Sequence, residues 1–224
     1  MLDPQLSAAL SDALGRRPPF TPGDLAPVTE LAIKYCRDIE PLRTAQNLRI
    51  AILIGCDPVS TSVFGGLGRL KSLTIQDSGL RTVNALINPA LQKLTLARGF
   101  IEDLTPLKEL QQPCVIDVTG NPLSRSSYKE VIPELRRRGH QVKASGEMPW
   151  RVSHRLHSEG VPIACYRGTE GYRLCRPGLS STKYPDYSHP LISEDQAQEL
   201  LTGDPRRAHS YFERDDLMPR LLLQ

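Results

Sequence analysis

Aromatic residues are scarce, at 5% of the 224 residues with a single tryptophan, so aliphatic side chains must pack most of any core. The basic pairs and runs at 16–17, 136–138 and 206–207 have no aromatic platform between them, and nucleic acid is not expected as a partner. A net charge of +3 points the same way. No apolar run approaches the roughly 18 residues that span a bilayer, so no membrane contact is expected. The N-terminus carries Asp3 and Asp12 and lacks a charged start followed by an apolar run, unlike a secretory signal. Five cysteines, an odd number at irregular spacing, imply a reduced cytoplasmic compartment rather than a disulfide framework. No G-x-S-x-G, H-E-x-x-H, P-loop or dinucleotide fingerprint organises the polar residues. Neither a cofactor nor a small-molecule substrate is therefore expected.

What the chain does contain is a repeat. Segments beginning at Val28, Arg49, Leu70, Leu91 and Pro113 align at a spacing of about 21 residues. Their fourth positions are Leu31, Ile52, Leu73, Leu94 and Ile116, and their sixth are Ile33, Ile54, Ile75, Leu96 and Val118. Such alternation predicts short strands with one face buried, stacked about 4.8 Å apart as a parallel sheet. Behind them Leu80, Val83 and Leu86, then Ile101, Leu104, Leu107 and Leu110, predict a side of turns or short 3₁₀ pieces, which Pro106 suits.

The pattern L-x-x-L-x-L-x-x-N/C resembles the leucine-rich repeat family over residues 28–143, apart from Arg49 and Pro113 at the first position. At the ninth position, where that family bonds the backbone of a tight turn, stand Cys36, Asp57, Ser78, Gly99 and Asn121. The resemblance implies an α/β solenoid of about five repeats, with a concave face suited to binding another protein. Residues 1–27 read as a cap helix ended by Gly15 and a proline-rich loop. Residues 28–145 carry the repeats, a terminal helix capped by Ser126 or Ser127 with Glu130, and a last edge strand in HQVKAS.

On this alignment Glu30, Lys34, Tyr35, Leu53, Gln76, Asp77, Lys93, Arg98 and Asp117 point from the concave face. Tyr35 and Leu53 would form an apolar anchor, with Asp77, Lys93, Arg98 and Asp117 a charged zone beyond it. The expected function is protein–protein recognition, as an adaptor, an inhibitor or immunity-type partner, or a regulatory subunit. No catalysis is expected.

Residues 146–224 lose the period and read as a small α+β extension packed on the array. RVSHRLH, VPIACYRG and YRLCRPG are expected to form an antiparallel meander. Ser193 and Gln196 predict a capping box for a helix through Leu201, and a second helix is possible towards Leu221–Leu223. Tyr184, Tyr187 and His189 lie in a proline-containing loop that could meet a partner or fold back on the repeats. His154, His157, Cys165 and Cys175 have the ligand types of a zinc site without its usual C-x2-C knuckles. Plain packing is the reading taken for the two cysteines, with a thiol pair or a metal as alternatives. The competing reading of the whole is an enzyme or metal-dependent module in this extension, with the repeats selecting its target.

Overall fold

The computed structural model describes residues 2–84, 86, 88–178, 188–214 and 216. Helix α1 (Pro4–Leu14) starts where Asp3 accepts hydrogen bonds from the backbone N–H groups of Gln5 and Leu6. It stops at Gly15, whose φ of 62° only glycine adopts freely. Leu6 and Leu10 are buried against β1 and cover one end of the array.

Six parallel strands follow in sequence order, the mark of a repeat fold: β1 (Glu30–Lys34), β2 (Ile50–Ile54), β3 (Ser72–Gln76), β4 (Lys93–Ala97), β5 (Val115–Asp117) and β6 (Gln141–Lys143). Strand β6 is the edge strand expected in HQVKAS. The returns between strands include short 3₁₀ turns at Glu40–Thr44, Thr61–Val63 and Thr105–Glu109. Inward strand residues meet buried leucines of these returns, among them Leu42, Leu67, Leu86, Leu104 and Leu107. Among the described residues no helix is long and apolar enough to cross a membrane.

The second strand departs from the expected alignment. Leu31 pairs with Ala51 and Ile33 with Leu53, and these in turn pair with Leu73 and Ile75. Ala51 and Leu53 are therefore the inward residues, and Ile50, Ile52 and Ile54 lie on the open face. The steps are 20 residues from Leu31 to Ala51 and 22 from Ala51 to Leu73, so a uniform 21 slips by one at this strand. In a strand a slip of one exchanges the two faces.

The flanking turns agree with the observed phase. One left-handed residue follows each of the first five strands: Tyr35, Gly55, Asp77, Arg98 and Gly120. The next residue ties the turn. Ser78 donates to the carbonyl of Gln76 and accepts from the N–H of Cys56. The Cys56 thiol reaches the carbonyl of Ile54 in the same way, so Cys56, not Asp57, takes the ninth position. Asn121 accepts from Gly99 and Ile101 and donates to the carbonyls of Leu96 and Val118. This supplies the bonds that Gly99 cannot make for itself.

The array closes with a π-helical turn (Ser127–Val131) running into α2 (Ile132–Arg137). Its cap is Ser124, which accepts from the Ser127 N–H, rather than Ser126 or Ser127. The Ser127 hydroxyl accepts instead from the N–H of Leu104.

The extension starts with a helix, α3 (Glu147–Ser158), where RVSHRLH was expected to be a strand. Pro149, Trp150, Val152, Ser153 and Leu156 are its buried residues, the spacing of a helical stripe. Pro149 in the first turn costs no hydrogen bond. Strands β7 (Ala164–Arg167), β8 (Tyr172–Cys175) and β9 (Leu191–Ile192) make an antiparallel sheet. Helix α4 (Glu194–Thr202) has the expected capping box between Ser193 and Gln196. A 3₁₀ helix (Pro205–Glu213) completes a second core with Val152, Leu156, Leu174 and Leu200. Tyr184, Tyr187 and Leu221–Leu223 lie outside the described residues.

Trp150 joins the two cores. Its ring stacks on Tyr128 at 4.0 Å and its Nε1–H donates to the carbonyl of Leu123 at 2.8 Å.

Candidate functional site

The open face of the sheet carries the side chains that the inward columns leave out. Glu30, Ala32 and Lys34 of β1 are exposed. Beside them Ile50, Ile52 and Ile54 form a half-exposed apolar ridge, each paired in register with one of those three residues. Ser72, Thr74 and Gln76 flank the ridge on its other side. Further along stand exposed Lys93 and half-buried Asp117, with Lys143 donating to Asp117 at 2.9 Å. Val115, 46% exposed, is the one exposed large hydrophobic among the described residues.

Of the nine residues expected on this face, Glu30, Lys34, Gln76, Lys93 and Asp117 stand there. Leu53 does not. It is 0% exposed and belongs to the core, so the expected Tyr35–Leu53 anchor does not form. Tyr35 is half-buried in the left-handed turn after β1. The ridge of Ile50, Ile52 and Ile54 escaped the sequence reading. Its signal was present in Leu48, three residues before Ala51, and in the Gly55–Cys56 turn.

The charged zone is also rearranged. Asp77 and Arg98 occupy successive left-handed turns at the C-terminal edge of the sheet, with φ of 50° and 57°. Such a backbone costs a non-glycine residue about 1–2 kcal/mol. The turns aim both side chains at the extension rather than along the open face. Arg98 grips Asp77 with two parallel bonds, Nε to Oδ1 at 2.5 Å and Nη2 to Oδ2 at 2.7 Å. Asp77 is 0% exposed and the Arg98 side chain 12%. The face of Tyr166 covers the guanidinium at 4.7 Å. Burial alone would lower the Arg98 pKa, but the bonds and charge of Asp77 outweigh it and hold the guanidinium charged.

His189 completes this buckle, so at this residue the loop folds back onto the repeats. Its Nδ1 lies 3.0 Å from the Tyr166 hydroxyl and its Nε2 3.8 Å from Asp77. The N–H of Gly178 donates to the backbone carbonyl of Asp77 at 2.7 Å. Two elements of the extension therefore converge on one turn of the array.

Asp77, Cys175 and His189 bring a carboxylate, a thiol and an imidazole within 4.8 Å of one another. These are the ingredients of a thiol triad or a metal site, and their setting suits neither. All three are buried, closed off from substrate. Both Asp77 oxygens are engaged by Arg98, whose positive charge would oppose a dication. Burial, with Asp77 nearby, pushes the Cys175 thiol well up, so the thiolate that either role needs is disfavoured.

The four residues weighed as zinc ligands are dispersed. His154 is exposed on α3 and tilted against Trp150. His157 lies 2.9 Å from Glu102 and stacks near Phe100. Cys165 pairs with Leu174 and Cys175 with Ala164, so the two sulfurs leave opposite faces of the hairpin and cannot form the thiol pair.

All five cysteines are buried and free. Burial pushes Cys36 up to about 12, and Cys56 and Cys114 up to about 11. A chromogenic disulfide reagent at neutral pH is expected to label fewer than one of the five thiols within minutes, and all five in denaturant. Fast stoichiometric labelling of Cys175 in the folded chain would instead favour a reactive site.

No family profile matches this chain, and no curated protein matches it. Among solved structures it is similar to an internalin from Listeria monocytogenes at 16% identity and a TM-score of 0.46, over 67% of this chain and 53% of that one. It is also similar to internalin C2 of the same organism at 20% identity and a TM-score of 0.44, over 71% of this chain and 80% of that one. This chain thus spans about half the length of the first of these.

Proposed function

We propose that the chain is a stoichiometric recognition scaffold, a leucine-rich repeat solenoid that binds another protein on the concave, open face of its sheet. The observation that carries this reading is the ridge of Ile50, Ile52 and Ile54, half-exposed and rimmed by Glu30, Lys34, Ser72, Thr74 and Gln76. Three β-branched side chains on one strand already occupy fixed rotamers, so little ordering entropy is lost when a partner covers them. An apolar centre with a polar rim is the anatomy of a protein interface. Neither a membrane nor a small-molecule substrate has a part in this reading.

The extension is read as a structural cap and not as an enzyme. Its most reactive-looking residues, Cys175 and His189, are buried beside Asp77 of the array. Five free thiols fit a reducing compartment such as the cytoplasm.

The test is affinity capture from the native host with the native chain and with the triple variant Ile50→Ser, Ile52→Ser and Ile54→Ser. The variant is expected to keep its circular dichroism spectrum and to hold a captured partner at least tenfold more weakly. Unchanged affinity in the folded variant would remove the ridge from the interface.

A further inference from the structure

A groove of about 680 Å³ runs along the N-terminal edge of the sheet, where Arg49, Arg69 and Lys71 are exposed. None of its lining residues is acidic or aromatic. Among the described residues no carboxylate forms an ion pair with any of these three cations.

Their arrangement is fixed by the backbone. The carbonyl of Thr29 accepts from the N–H groups of Arg49 and Ile50, and that of Arg49 accepts from Lys71 and Ser72. Arg49 and Lys71 are thus on consecutive rungs of one ladder, about 4.8 Å apart. Arg69 is steadied by a bond from Nη1 to Asn47 Oδ1 at 2.6 Å, and Asn47 in turn donates to the carbonyl of Ala26 at 2.8 Å. Adjacent like charges without a counter-charge raise the energy of the free protein, and a bound anion relieves them.

The groove lies next to the ridge: Ile50, the first residue of the apolar row, follows Arg49 in the chain, although no isoleucine of the ridge lines the groove itself. We infer that the groove receives an acidic polypeptide segment. The partner of the open face would carry an apolar strip that runs on into two or more carboxylates, seated against Arg49, Lys71 and Arg69. Charge complementarity and the nearness of the ridge, one residue along the chain, favour this occupant. A nucleic acid would find no aromatic side chain here to stack on, and its phosphates would gain nothing from the neighbouring isoleucines. The inference rests on the open-face reading and adds the chemistry of the partner.

The probes are fluorescein-labelled peptides of alternating valine and threonine, ending in four glutamates or in four glutamines, with an oligothymidylate of similar length. Binding is read by fluorescence anisotropy at low ionic strength. The glutamate peptide is expected to bind the native chain at least tenfold more tightly than the glutamine peptide, and added salt should narrow the gap. Arg49→Gln with Lys71→Gln should erase that preference without moving the unfolding midpoint, and Arg69→Gln should reduce it. Equal binding of the two peptides, no binding of either, or tighter binding of the oligothymidylate would overturn the inference. The isoleucine triple variant separates this from the parent reading. If it weakens both peptides equally and keeps the glutamate preference, ridge and groove both stand. If it changes nothing while the groove variant erases the preference, the ridge falls and the groove stands. If only the ridge matters, the groove falls alone.

Discussion

Replacing Asp77 by asparagine is expected to destabilise the fold by about 3–5 kcal/mol, the scale of removing one partner of a buried ion pair. Both carboxylate oxygens of Asp77 are occupied by Arg98, Asp77 is wholly buried, and the Arg98 side chain is only 12% exposed. Asparagine keeps the volume and tolerates the left-handed φ of 50°, so neither a cavity nor backbone strain confounds the result. What remains is a guanidinium facing an amide that offers one acceptor where two stood. The Tyr166 ring covers the guanidinium at 4.7 Å in both forms, so it does not replace the lost carboxylate. Adding Arg98→Met to Asp77→Asn is expected to recover about half of the deficit, because the stranded charge is gone and the long side chain still fills the gap. Urea denaturation of the two single variants and the double variant closes the cycle. A cost below about 1 kcal/mol for Asp77→Asn would mean that water screens the pair, and the buckle would no longer explain how the extension is held.

Those parts of the fold that rest on short-range pattern could be read directly. Leu31 and Ile33, Leu73 and Ile75, and Leu94 and Leu96 each alternate with polar residues or alanine, so the larger apolar side chains mark the inward face. Likewise α1 has its stripe and its glycine stop, and α4 has both halves of its capping box. Two features resisted for physical reasons. Residues 50–54, IAILI, are apolar throughout, so either phase buries a plausible set and only the turn after the strand decides. RVSHRLH sets Val152, His154 and Leu156 in strand-like alternation, although Val152 and Leu156 are also one helical turn apart. The buckle was legible only in part. The repeat pattern sets Asp77 and Arg98 at equivalent positions, but on the exposed recognition face. That His189, 112 residues after Asp77, would close over the pair is a tertiary fact with no local signature.

The phase of the second strand carries the functional reading, and it can be tested without a partner. Leu53 is fully buried and lies in the column of Ile33 and Ile75, so Leu53→Ala removes core contacts on both sides. A loss of about 2–5 kcal/mol is expected, from lost transfer energy and the cavity left behind. Ile52 is one residue away and half-buried on the open face, and Ile52→Ala should cost under about 2 kcal/mol, because the truncated side chain borders water and leaves no closed cavity. Aspartate sharpens the contrast. Leu53→Asp would bury a carboxylate with no cation in reach and should prevent folding at ordinary temperature, whereas Ile52→Asp faces water and should fold. Urea midpoints and far-ultraviolet circular dichroism read both pairs. The reverse order of effects would return Ile52 to the core and Leu53 to the surface. The ridge would then dissolve, because Ile50 and Ile54 share the phase of Ile52, and the groove at Arg49 would border no apolar strip. The same measurement therefore decides a packing question and, through it, whether the open face has an anchor for a partner.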